Sequence, residues 1–77
     1  MNQAILFNDD LSFDVKEDAW CFTAQVAGQI LTIYFHSRQL KQLAGIDSST
    51  KFDLEEIAEI WLEKNEINGN VIHIQMR

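Results

Sequence analysis

The chain has 77 residues, 47 % of them apolar, with six Lys or Arg against twelve Asp or Glu (net charge −6), no proline and one cysteine. That length makes one domain, 1–77, and folding at this size buries only roughly 60–65 % of the surface of the unfolded chain, so the core is taken up by stability and a deep catalytic cavity is not expected. The lone Cys21 excludes an intramolecular disulfide framework and zinc-finger spacing, and the scarcity of clustered Lys and Arg excludes ordinary nucleic-acid binding.

The first seven residues have no basic n-region and an apolar run of only four, which reads as a cytoplasmic chain without a signal peptide. Ala4–Phe7 is predicted as a strand, followed by a polar turn at Asn8-Asp9-Asp10, and Leu11, Phe13 and Val15 alternate with polar residues as a further extended segment. Residues 19–37 lack Lys, Arg, Asp and Glu altogether. Their period of two makes them a β-hairpin and not a membrane span: Trp20, Phe22, Ala24 and Val26 alternate with Cys21, Thr23 and Gln25, and Leu31, Ile33 and Phe35 with Ile30, Thr32, Tyr34 and His36. With Gly28-Gln29 as a type II′ turn, Val26 faces Leu31, Ala24 faces Ile33 and Phe22 faces Phe35 on one side, while Thr23 faces Tyr34 and Cys21 faces His36 on the other.

Ser37 is the predicted N-cap of a two-turn helix ending at Gly45. Asp47–Lys51 reads as a polar link. A longer helix is then predicted from Asp53, where Glu56 completes a capping box and Phe52 packs on Ile57 as a hydrophobic staple. From Leu54 to about Glu66, Leu54, Ile57, Ala58, Ile60, Trp61 and Leu62 share one arc, and Glu55, Glu56, Glu59, Glu63 and Glu66 the opposite one. Asn68-Gly69-Asn70 ends it, and Val71, Ile72 and Ile74 around His73 form a short final strand. The fold class is α+β: a small antiparallel sheet built on a central hairpin, packed on one face by two C-terminal helices.

Three features bear on function. The hairpin face of Thr23, Ile30, Thr32 and Tyr34 carries no charge, whereas a solvated sheet face usually carries Lys or Glu. Either the chain covers it internally, or a protein partner or a second copy does. Cys21 opposite His36, with His73 as a third ligand, has the donor set of a zinc site with an open position, or of an activated thiol. Against this, no third orienting group or oxyanion donor is in view, and the plain reading is two ordinary residues on a half-covered sheet. Glu55, Glu59 and Glu63 form either a nucleic-acid-like acidic surface or, more simply, the solvated side of an amphipathic helix. Neither an enzyme nor a cofactor is expected, and the partners expected are proteins, not nucleic acid or membrane.

Ile5-Leu6-Phe7, Phe13-Asp14, Phe22-Thr23-Ala24, the stretch from Gly28 to Phe35, and Phe52–Glu59 (Phe-Asp-Leu-Glu-Glu-Ile-Ala-Glu) together resemble the bacterial domain-of-unknown-function family 1488. The chain departs from that pattern between the helices, where only Ile46–Lys51 separates Gly45 from Phe52. The resemblance implies a small α+β protein of a Gram-negative bacterium with no established activity and no catalytic residue to carry over.

Overall fold

The computed structural model describes residues 4–76. In chain order they form β1 (Ile5–Phe7), β2 (Ser12–Asp14), β3 (Ala19–Val26), β4 (Gln29–His36), α1 (Arg38–Lys41), α2 (Ser48–Lys64) and β5 (Val71–Gln75). The five strands make one sheet in the order β1-β3-β4-β5, with β2 also on β3. The expected α+β architecture is present. The sheet is mixed, because β5 joins β4 in parallel after the helical crossover while every other pairing is antiparallel.

β1 pairs with the second half of β3 (Phe7 opposite Ala24) and β2 with the first half (Ser12 opposite Cys21), so the two form one interrupted edge strand. The residues of the interruption are pinned on Thr23. The Asn8 backbone N–H donates to the Thr23 carbonyl (2.9 Å) and the Asn8 side-chain amide to Thr23 Oγ1 (2.8 Å). Thr23 in turn donates its own N–H to Asp10 Oδ1 (2.9 Å).

The hairpin register corrects the expected one by two residues. The turn is Ala27-Gly28, with φ of 52° and 77°, the left-handed pair of a type I′ turn, and Val26 faces Gln29. Trp20 thus faces Phe35, Phe22 faces Ile33, Ala24 faces Leu31, and Cys21 faces Tyr34 instead of His36. An even slip leaves every side chain on its expected face, so apolar alternation could not separate the two registers. The turn carries a cost: Ala27 sits in a region that disfavours a Cβ. Ala27→Asn, which restores the favoured Asn-Gly pair, is expected to stabilise by about 0.5–1 kcal/mol and to raise the melting temperature by several degrees. A fall in thermal unfolding temperature would contradict this turn.

One sheet face, Trp20, Phe22, Ala24, Val26, Leu31, Ile33, Phe35, Ile72 and Ile74, is buried under Leu40 of α1 and Leu54 and Ala58 of α2, with Ile57, Trp61 and Leu62 packed partly against it. The Trp20 indole N–H donates to the Leu40 carbonyl (2.8 Å), tying α1 down. Ser37 caps α1 as expected, its hydroxyl accepting from the Leu40 N–H, but α1 has one turn and stops well before Gly45. Only Leu40 finds a place in the core, and Leu43 is exposed, so burial does not support a second turn.

The start of α2 is also corrected. Asp47, not Asp53, is the N-cap, its carboxylate accepting from the Thr50 N–H (2.8 Å), and 48–51, expected as a link, form the first turn. That hydrogen bond holds the Asp47 carboxyl below the usual carboxylate range. Lys51 anchors the turn by reaching Asp9 (2.7 Å) and Glu55 (3.6 Å). The expected staple is absent: Phe52 is 67 % exposed, and Ile60, placed on the apolar arc by periodicity, is exposed too. Among the described residues no helix is long and apolar enough to cross a membrane.

Candidate functional site

Successive side chains of a strand point to opposite faces, so the residues between the core positions form a second face that neither helix covers. The registers arrange it in rungs. Leu6, Gln25 and Ile30 form the first, Thr23, Thr32 and Val71 the second, and Ser12, Cys21, Tyr34 and His73 the third. Asp14 and Ala19, with His36 and Gln75, complete the far end. No Lys, Arg or Glu stands on these rungs; Asp14 is their one acid, and the Asp10 carboxylate reaches the second rung by accepting from the Thr23 hydroxyl. At the hairpin-turn end Leu6 is 62 % exposed, Ile30 56 % and Val71 47 %. The sequence-derived candidates Thr23, Ile30, Thr32 and Tyr34 therefore lie together on this face. β1 and β5 extend the sheet and do not fold over it, while the link between β1 and β2 lays Asn8 and Asp10 on the Thr23 hydroxyl and Ala19 at the far end is buried, so the open part is the hairpin-turn end and the Tyr34–His73 rung.

Tyr34 is held from two sides. Its ring stacks on His73 (centroids 5.0 Å, planes 13° apart), and its hydroxyl donates to Asp14 Oδ2 (3.2 Å). Partial burial and the nearby Asp14 charge raise its pKa, so the phenol stays neutral and keeps its proton to donate. His36 Nε2 lies 2.8 Å from His73 Nδ1. The ring centroids are 5.1 Å apart, about that N···N distance plus one ring radius at each end, so the imidazoles meet edge to edge and are not face-stacked. Such a bond needs one donor and one acceptor nitrogen, so the tautomer of one ring sets the role of the other.

The thiol reading loses its geometry. Cys21 lies across from Tyr34 and one rung from His36, with no imidazole opposite it. Burial raises the thiol pKa, the charges of Asp14 and Asp10 raise it further, and a hydrogen bond with Ser12 opposes them. An activated nucleophile needs the opposite shift. Alkylation of Cys21 in the folded protein is accordingly expected to require a higher pH than in the urea-unfolded chain, and coincident pH profiles would show an unshifted thiol. Among the described residues no group of three or more His, Cys, Asp or Glu is placed to hold a metal, so Cys21, His36 and His73 are not gathered into one site.

The acidic helix surface is less continuous than periodicity implied. Glu55 turns in towards Lys51, and exposed Phe52 and Ile60 interrupt the remaining stripe of Glu56, Glu59 and Glu63. Two surface clefts flank the fold. One of about 300 Å³ lies between Glu17, Asp18, His36, Arg38 and Lys41, and one of about 390 Å³ lies between Asp9, Trp20, Ile46 and Lys51. Both are open and mixed in charge. Sequence reasoning missed Leu6 and Val71 as part of the open face, the His36–His73 pair, and Asp14 as the acceptor of Tyr34. The alternation Val71-x-His73-x-Gln75 was the available signal, but it does not say which strand β5 joins.

No family model matches the chain, and no curated protein is significantly similar to it. Among solved structures it is similar to a protein of unknown function from the DUF1488 family of Shewanella loihica PV-4, with a TM-score of 0.69 and 32 % sequence identity over 96 % of this chain and 94 % of that one. The match runs nearly end to end in both chains and agrees with the resemblance carried by the strand and helix motifs, so the chain belongs to the DUF1488 family.

Proposed function

We propose that this protein is a non-enzymatic interaction module that binds a protein partner through the open face of its sheet. The observation that carries this reading is the face itself. It is four strands wide, its acids are Asp14 near one corner and Asp10, held on the Thr23 hydroxyl, and Leu6, Ile30 and Val71 are exposed apolar side chains at the hairpin-turn end. Soluble proteins suppress association of such surfaces with Lys or Glu, and exposed apolar side chains on a sheet face without them favour a partner there. Tyr34 supports the same reading, because an aromatic ring already fixed by His73 and Asp14 loses little conformational freedom when a partner packs on it. Gln25, between Leu6 and Ile30, and Thr32, beside Val71, supply hydrogen-bonding groups among these residues. The family relative is itself of unknown function and lends no activity. The same reading keeps the protein in the cytoplasm, where a single reduced thiol is unexceptional.

The test compares three baits in extracts of the source cell: the native protein, Ile30→Glu, and Phe52→Glu as an exposed apolar position on the opposite side of the molecule. A partner held by the native and Phe52→Glu baits and lost by at least about tenfold with Ile30→Glu is the expected result, since a desolvated unpaired carboxylate costs several kcal/mol. Retention by Ile30→Glu with loss at Phe52→Glu would place binding on α2 and overturn the reading.

A further inference from the structure

The geometry points to a second copy of this chain as the partner of the β5 edge, paired antiparallel about His73 into one continuous two-chain sheet. This goes beyond the docking face, which the pairing leaves free.

The two edges of the sheet differ. The β1/β2 edge is guarded in the way edge strands usually are: its strands have three residues each, an interruption separates them, and Asp9 and Asp10 stand in the gap. The β5 edge has none of these devices. Val71-Ile72-His73-Ile74-Gln75 is five residues long, without Lys, Arg, Asp, Glu, Pro or Gly, and its register against β4 is unbroken from Thr32–Val71 to His36–Gln75.

The hydrogen-bond phase of β5 shows which groups are offered. Thr32 N–H donates to the Asn70 carbonyl and Met76 N–H to the His36 carbonyl, both at 2.9 Å. Bonding alternates along a parallel strand, so residues 70, 72, 74 and 76 turn their backbone groups to β4. The N–H and C=O of Val71, His73 and Gln75 therefore point out of the sheet, and none of them has a hydrogen-bond partner among the described residues.

A second β5 satisfies them. With His73 opposite its own copy across a two-fold axis, Val71 faces Gln75 of the second chain and Gln75 faces Val71. All three facing pairs are then the type that exchanges two N–H···O=C bonds, which uses every outward group of both strands. The side-chain pattern is self-complementary in that register. Ile72 and Ile74, both buried on the core side, meet each other's copies and join the two cores, while no acidic side chain is brought against another along the strand. This symmetry selects a second copy over an unrelated strand. The two-fold contact is closed, and the guarded β1/β2 edges left outside stop growth at two chains. The His36–His73 pairs of both copies then lie side by side at the centre of a doubled open face.

Light scattering after gel filtration is expected to give twice the 8.9 kDa chain mass. His73→Pro removes an outward N–H that the monomer does not use, and is expected to halve the mass while leaving the circular dichroism unchanged. Should that variant fail to fold, residue-resolved amide exchange of the native protein decides instead. The Val71, His73 and Gln75 amides are expected to exchange on the order of tenfold or more slower than solvent-exposed amides, alongside Ile72 and Ile74. A monomer throughout the micromolar to millimolar range, with those three amides exchanging freely, overturns the inference. So does a dimer whose edge amides exchange freely and which Ile30→Glu dissociates, although that result keeps the sheet face as a docking surface.

Discussion

Phe22→Ala is expected to cost about 3–5 kcal/mol, a large share of the roughly 4–12 kcal/mol that a domain of this length has in total. Phe22 is 1 % exposed at the centre of β3. Its ring meets Phe7 edge-on at 5.5 Å and Phe35 at 5.1 Å, and its strand partner across β4 is Ile33. Removing it opens a cavity between the edge strand, the hairpin and α2 at once. Sheet and helix share one small core, so no second core exists to hold part of the fold while this one collapses. Urea unfolding measures the effect as a fall in midpoint at nearly constant slope. A loss below about 1 kcal/mol would mean that the packing described around Phe22 is wrong.

The second large effect concerns the phase of α2. Leu54→Ala is expected to destabilise by about 2–5 kcal/mol, whereas Phe52→Ala, two residues earlier and bulkier, is expected to change stability by no more than about 0.5 kcal/mol. Leu54 is 1 % exposed against the sheet, while Phe52 lies on the solvent side of the same turn. A helix beginning at Asp53 with Phe52 stapled to Ile57 would make Phe52 costly to remove. The pair of variants, compared by chemical unfolding, thus separates the two starts of the helix. Similar losses at both positions would restore the later one.

These elements show what could be read from the chain. Parity is legible: alternation from Trp20 to Phe35 divides the hairpin into a core face and a face without charged residues, and that is why Thr23, Ile30, Thr32 and Tyr34 group together from the sequence alone. Register is not, because a shift of two residues preserves parity, and only the geometry of Ala27-Gly28 chooses between the two pairings. The Cys21–His36 pairing disappeared with that shift. Asp53 has the capping box with Glu56, whereas Asp47, with Thr50 at the corresponding position, caps through its carboxylate alone, a weaker local signal. Lys51 in the first turn reaches Asp9 from a distant part of the chain, a contact that local sequence does not reveal. Leu6, Val71 and His73 joined the open face through pairings of β1 and β5 that are likewise long-range, and the parallel placement of β5 has no local signature.

The same division runs through function. Absence of charge on a strand face is a sequence property, but whether the chain covers that face itself is a matter of topology, and here β1 and β5 lie in the plane of the sheet and leave it open. The His36–His73 contact and the hold of His73 and Asp14 on Tyr34 then fix the side chains at one end of that face.

Hydroxyl-radical footprinting of the protein with and without its captured partner tests the docking face most directly, because it reports side chains and so tells one face of a strand from the other. Oxidation of Leu6, Ile30, Tyr34 and His73 is expected to fall on binding, while Phe52, Ile60 and Val15 keep their reactivity. Protection of Phe52 and Ile60 with Ile30 and Tyr34 unchanged would contradict the account.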